Sequence, residues 1–139
     1  PSDTTKDELI KRANELNIKY EENIGVGRLI DLIFKKTVRP KLIQPCFLID
    51  PPVEIEPLAK RSASNPKVVE RMQIVACGTE LGKGFSELND PADQRNRFKK
   101  QMKLRDEGDK EAQRLDEEYL EAMEYGMPPA SGFGLPCRR

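Results

Sequence analysis

Residues 78–98 read GTELGKGFSELNDPADQRNRF, and the order of residue types divides them into a glycine-broken strand and a helix start. Glu80 and Glu87 are seven positions apart. That odd separation would set them on opposite faces of an uninterrupted strand. Gly82 and Gly84, between them, permit a bulge or a tight reversal and let another backbone or a ligand come close. With such a break the two carboxylates converge, and Asn89 shares the face of Glu87 if the strand persists. Two oxygen donors and an amide would then line a cleft, although the same residues also suit a solvated strand and turn. After them Asp90 suits an N-cap, Pro91 the first helical position and Asp93 the helix dipole, which predicts a helix running to Gly108.

Upstream, VVERMQIVACG (68–78) has strand character, and RSASNPK (61–67) is a polar loop. Cys46–Ile49 is a short continuous apolar run bounded by Pro45 and by Asp50-Pro51-Pro52, which predicts a buried strand. In VEIEPLAKR (53–61), Val53 and Ile55 alternate with Glu54 and Glu56. Two helices precede these strands. Thr5 and Glu8 form a capping box before Leu9, Ile10, Ala13 and Leu16, and Val26, Leu29, Ile30, Ile33 and Phe34 mark a second helix that ends before Pro40. The two are expected to pack as a pair.

Downstream, the helix after Asp90 has a thin apolar stripe, chiefly Phe98 and Met102. Asp116 caps EEYLEAMEYG, with Leu120, Met123 and Tyr119 facing inward and Gly126 as the stop. Phe98, Met102, Tyr119 and Tyr125 are expected to pack in the core, and the mixed run RNRFKKQMKLRDEGDKE to present a solvated face. The chain closes on the glycine-spaced SGFGLPCRR.

Composition limits the chemistry. The 139 residues suit one domain, and 24 Lys plus Arg against 24 Asp plus Glu leave no net charge to draw a polyanion. Cys46, Cys77 and Cys137 are odd in number and far apart, which argues against a disulfide framework and fits a reducing compartment. With no histidine, paired-ligand zinc sites and His general bases are excluded. Neither a membrane-spanning run nor a signal-peptide apolar region is present, so a cytoplasmic location is expected. Carboxylates, amides, cations, backbone dipoles or a hard metal ion must carry any reaction.

GTELGKGFSELNDPADQRNRF resembles the segment before the last motif of the class II lysyl-tRNA synthetases. FLIDPPVEIEPLAKR is similar to that family's strand and turn ending in Pro57-Leu58-Ala59-Lys60, GVGRLIDLIFKKTVRPKLIQPCFLID to its helix leading into a strand, and LDEEYLEAMEYGMPPASGFG to its approach to the third class motif. The resemblance implies an α+β fold, part of an antiparallel-sheet catalytic domain with flanking helices. Residues 1–40 would form a helical inserted region, and 41–139 the strands and helices leading to the third motif.

The implied reaction is ATP-dependent activation of lysine and its transfer to tRNA(Lys) by a homodimeric enzyme using Mg2+. Residue by residue, Glu80 and Glu87 match the magnesium-holding glutamates, with Glu80 also at the ATP. Glu87 and Asn89 match the lysine site, Gly132 and Gly134 match glycines lining the nucleotide, and Arg139 aligns with an adenine-stacking arginine. No side chain is assigned proton transfer or nucleophilic attack. The sequence departs from the family pattern at Pro136 and Arg138, where a glycine and an aspartate are usual, and at Lys83 and Glu56. Lys83 could meet a phosphate, Glu87 or solvent. Without an initiator Met, the dimer motif or the ATP-gripping arginine loop, the chain is expected to be a fragment inactive alone. The alternative is a non-catalytic interaction module derived from the synthetase scaffold.

Overall fold

The computed structural model describes residues 4–110 and 112–135. Helix α1 (Lys6–Glu15) begins as expected, with the Thr5 hydroxyl accepting from the Glu8 N–H and the Glu8 carboxylate accepting from the Thr5 N–H. It packs on α2 (Val26–Thr37) around Ala13, Ile24 and Leu29, with Leu9, Ile10, Leu32 and Ile33 closing the cluster. Leu16, at the C-cap, lies outside this cluster and is 36% exposed.

Four antiparallel strands follow in the order β1 (Cys46–Ile49), β2 (Arg71–Ala76), β3 (Thr79–Ser86) and β4 (Ser131–Gly134). Cys77 and Gly78, both at positive φ, close the two-residue hairpin between β2 and β3, a turn that matches the strand twist. Helices α3 (Pro91–Asp106) and α4 (Glu117–Glu124) separate β3 from β4. The Asp90 carboxylate accepts from the N–H groups of Ala92 and Asp93, and that of Asp116 accepts from the Tyr119 N–H. An α+β sheet with flanking helices is therefore what forms.

Several sequence expectations fail for identifiable reasons. The β1 run is not buried on both faces: Phe47 is 65% and Ile49 60% exposed. In register they stand beside Ile74, Met72 and Phe133, so one sheet face is apolar and open. Val53–Ile55 forms a 3₁₀ turn in place of alternating strand, since Pro51 and Pro52 precede it and lack ladder donors. Residues 57–61 nevertheless lie along β3, through a bridge between Ala59 and Glu87 and a bond from the Lys60 N–H to the Ser86 carbonyl.

Helix α3 buries Gln94 and Arg97 beside Phe98, so much of its inward face is polar. Phe98 packs with Leu120, Met123 and Tyr119, while Tyr125 stays 88% exposed just past the last turn of α4. Strand β4, whose glycines carry little strand propensity, pairs through backbone bonds that composition does not reveal.

Candidate functional site

The face that carries Glu80 is set by one register shift. Ile74 pairs with Gly82 but Val75 pairs with Glu80, so Leu81 is an extra residue on β3. This bulge resets the alternation, as the glycines beside it allow. Val75, Gln73 and Arg71 on β2 then face the same way as Glu80, Lys83 and Phe85 on β3, and Glu87 follows Phe85 in phase. Gly134 and Gly132 on β4 join this face opposite Lys83 and Phe85. Gly82 and Gly84 face the other way, where the Phe133 ring lies so close that a Cβ on either would sit under 3 Å from it.

The bulge thus brings Glu80, Glu87, Gly132 and Gly134 to one face, without making Glu80 and Glu87 immediate neighbours. Lys83 and Phe85 stand between them, about 20 Å of extended strand in contour. Each carboxylate has its own surroundings.

Glu80 borders a cleft of about 260 Å3 with Glu56, Arg71, Gln73 and Lys83, against α2. The Gln73 amide donates to its Oε2 at 2.5 Å. Lys83 meets Glu56 Oε2 at 3.0 Å, a partner outside the phosphate, Glu87 and solvent expected from sequence. Arg71 approaches the same Glu56 oxygen at 3.6 Å. Glu56 thereby joins two cations.

Glu87 lies nearer α4. A Cβ on Gly132 would stand 2.9 Å from its Oε1, so a larger residue there would require the carboxylate end to shift. Burial first, and the Glu56 charge second, hold its carboxyl above the ordinary value, while burial and then the Glu87 and Asp116 charges raise the Tyr119 phenol. Asn89 is half-buried and donates weakly to the Met127 carbonyl at 3.5 Å. Arg139, Pro136 and Arg138 lie outside the described residues.

The raised Glu87 carboxyl makes a pH prediction. The folded chain keeps this proton where the unfolded chain has lost it, so the favourable contribution is full below the unfolded value and disappears as pH rises through the folded one. Glu87→Gln is therefore expected to raise Tm at pH 7 by about 1–2 °C, a modest amount for a partly exposed group. Thermal melts at both pH values should show no gain below about pH 4, where Glu87 is protonated in either state.

Glu80 and Glu87 are single carboxylates in separate surroundings, so each fits magnesium as one ligand among water and phosphate oxygens. No group of three or more His, Cys, Asp or Glu side chains able to hold a metal occurs among the described residues, so an all-protein cage is absent there. Mg2+ typically takes one or two carboxylates and completes its shell with water and phosphate. A cation beside Glu87 would also relieve the repulsion from Glu56.

Residues 7–139 match the family described as tRNA synthetases class II (D, K and N). The chain belongs to this family. Its relatives include the lysine-tRNA ligase of Carboxydothermus hydrogenoformans, 48% identical over 128 residues, covering 92% of this chain and 26% of that protein. That of Moorella thermoacetica is 47% identical over 135 residues, with 97% and 28% covered, and that of Pelotomaculum thermopropionicum 51% over 124, with 89% and 24%. The chain spans about a quarter of the length of these relatives.

Within this class II synthetase chain, Arg71 and Gln73 carry no role expected from the sequence, and Tyr119 is expected there only to pack in the core. A polar residue inside the apolar run RMQIVA was a readable sign of Gln73. The proximity of Tyr119 to Glu87 had no local sign, because it depends on how α4 docks. No helix of the described residues is long and apolar enough to cross a membrane.

Proposed function

We propose that the protein carrying this chain activates lysine with ATP and attaches it to tRNA(Lys), with Glu80, Glu87, Asn89, Gly132 and Gly134 forming part of its nucleotide and amino-acid site. The observation that carries this reading is the Leu81 bulge, which turns Glu80 to the face that Glu87, Gly132 and Gly134 share. In this reaction the lysine carboxylate attacks the α-phosphorus of ATP, pyrophosphate leaves, and a terminal ribose hydroxyl of the tRNA then displaces AMP. Mg2+ at Glu80 and at Glu87, each with its shell completed by phosphate oxygens and water, would neutralise charge along the polyphosphate.

The remaining work falls to the protein. Glu87 and Asn89 bind and orient the amino acid, with Glu87 facing its ammonium charge. Gly132 and Gly134 give the nucleotide a surface without side chains on the same face. Orientation of the attacking carboxylate then supplies much of the rate enhancement. Residues 1–40 are the helical inserted region of the catalytic domain, and Arg139 stacks on adenine. A homodimer in the cytoplasm is the proposed setting.

Two measurements test the reading. Lysine-dependent exchange of pyrophosphate into ATP by the protein carrying this chain is expected to fall at least about a hundredfold in Glu87→Gln, the scale of losing a transition-state charge contact. ATP with Mg2+ should also raise the Tm of the wild type and leave Glu87→Gln unmoved. Full exchange activity in Glu87→Gln would overturn the assignment, and a wild type that binds no nucleotide would favour a non-catalytic module.

A further inference from the structure

Gln73 and Arg71 form a buried polar pair beside the half-buried Glu80. Gln73 is 3% and Arg71 8% exposed, and buried polar side chains are expensive unless their bonds are made. The Arg71 Nη2 donates to Gln73 Oε1 at 3.2 Å, and Gln73 Nε2 donates to Glu80. The direction of this relay is dictated by chemistry. A guanidinium has donors only, so the Gln73 carbonyl must face Arg71 and its NH2 must face the carboxylate.

Arg71 is aimed in turn by Glu56, 3.6 Å from its Nε, and that buried Nε makes no hydrogen bond. The same Glu56 oxygen also meets Lys83. The chain Glu56, Arg71, Gln73, Glu80 therefore crosses from the 3₁₀ turn to the bulged strand and ends on one carboxylate oxygen.

We propose that Gln73 is a positioning residue for Glu80: oriented by Arg71, it fixes one carboxylate oxygen and turns the other toward the magnesium of bound ATP. This inference rests on Glu80 being a magnesium carboxylate, as read above. It assigns to the β2 strand a role that neither glutamate performs, namely selecting one orientation of a flexible side chain before the metal arrives. Outer partners of metal ligands commonly account for ten- to hundredfold in metal affinity.

The test is a Mg2+ titration of ATP binding by calorimetry on the protein carrying this chain, in wild type, Gln73→Met, Glu80→Gln and the double variant. Methionine keeps the length and volume of Gln73 and removes both hydrogen bonds. Gln73→Met is expected to weaken the apparent Mg2+ affinity about tenfold and to leave Mg2+-free adenosine binding unchanged, which also reports an intact fold. In the Glu80→Gln background the Gln73→Met change should have no further effect, because Gln73 acts through Glu80. Should Gln73→Met fail to fold, Gln73→Asn, which keeps the amide but shortens its reach, is expected to show the same loss. Normal Mg2+ dependence in the folded Gln73 variant while Glu80→Gln is impaired overturns this inference alone. Normal Mg2+ dependence in Glu80→Gln, or no ATP binding by the wild type, overturns the site reading and this inference with it.

Discussion

Gly27→Ala is expected to lower the stability of the fold by about 3 kcal/mol or more, a Tm loss of about 10 °C. Propensity alone predicts the opposite, because alanine in place of glycine favours a helix by about 1 kcal/mol. Packing decides the sign. A Cβ on Gly27 would stand 1.9 Å from the Glu54 carbonyl oxygen and 2.4 Å from its carbon, and both are backbone atoms that cannot rotate away. Either α2 or the 3₁₀ turn at Val53–Ile55 must move.

Gly25→Ala is the control. Its Cβ would meet the Leu104 Cδ1 at 3.1 Å, the end of a flexible side chain, and Gly25 has an ordinary extended φ of −69°. It should cost less than about 1 kcal/mol. Chemical denaturation of the two variants separates a local clash from a general intolerance at the start of α2. Because Glu56 directly follows the displaced turn, Gly27→Ala should also weaken the contacts of Glu56 with Lys83 and Arg71.

The parts of the fold that were legible in the sequence are those with local causes. Thr5 and Glu8, Asp90, and Asp116 each announce a helix start, and each makes the expected capping bond. The odd spacing of Glu80 and Glu87 across two glycines required a reset of the strand, and the Leu81 bulge supplies it. What could not be read depends on elements distant in sequence. Glu56 looked like the polar half of an alternation, and its meaning came only when Lys83 and Arg71 arrived from two strands. Likewise Gly27 carries no local sign that the backbone of Glu54 will press against it. Arg97 lay in a run read as a solvated face, although Asp93 four residues earlier was a readable partner on the same side of a helix.

That arginine governs the second large effect: Arg97→Met is expected to cost about 3 kcal/mol at pH 7, measurable by urea denaturation. Its side chain is 5% exposed, and it donates to the Ala59 carbonyl at 2.7 Å and to Asp93 at 2.7 Å. Methionine fills the volume but leaves a buried carbonyl and a carboxylate short of donors. Burial alone would raise the Asp93 carboxyl, yet hydrogen bonds from Arg97 and Arg61 hold it below its ordinary value. A lowered carboxyl contributes stability above its unfolded value, and that contribution is lost as pH falls through the folded one. The gap between wild type and Arg97→Met should therefore narrow below about pH 4. Arg97→Lys should lie between the two, since one ammonium cannot reproduce the guanidinium fork. Loss of Arg97 also weakens the hold of α3 on the 57–61 segment, leaving Gln94 on the Pro57 carbonyl and Arg61 on Asp93, and Ala59 in that segment is the bridge partner of Glu87. The turn just before that segment is restrained where Gly27 meets Glu54, so α2 and α3 together fix the backbone beside the site. If Arg97→Met lost less than about 1 kcal/mol, α3 would be resting on the sheet without anchoring it, and the position of Glu87 would have to be set from β4 and α4 instead.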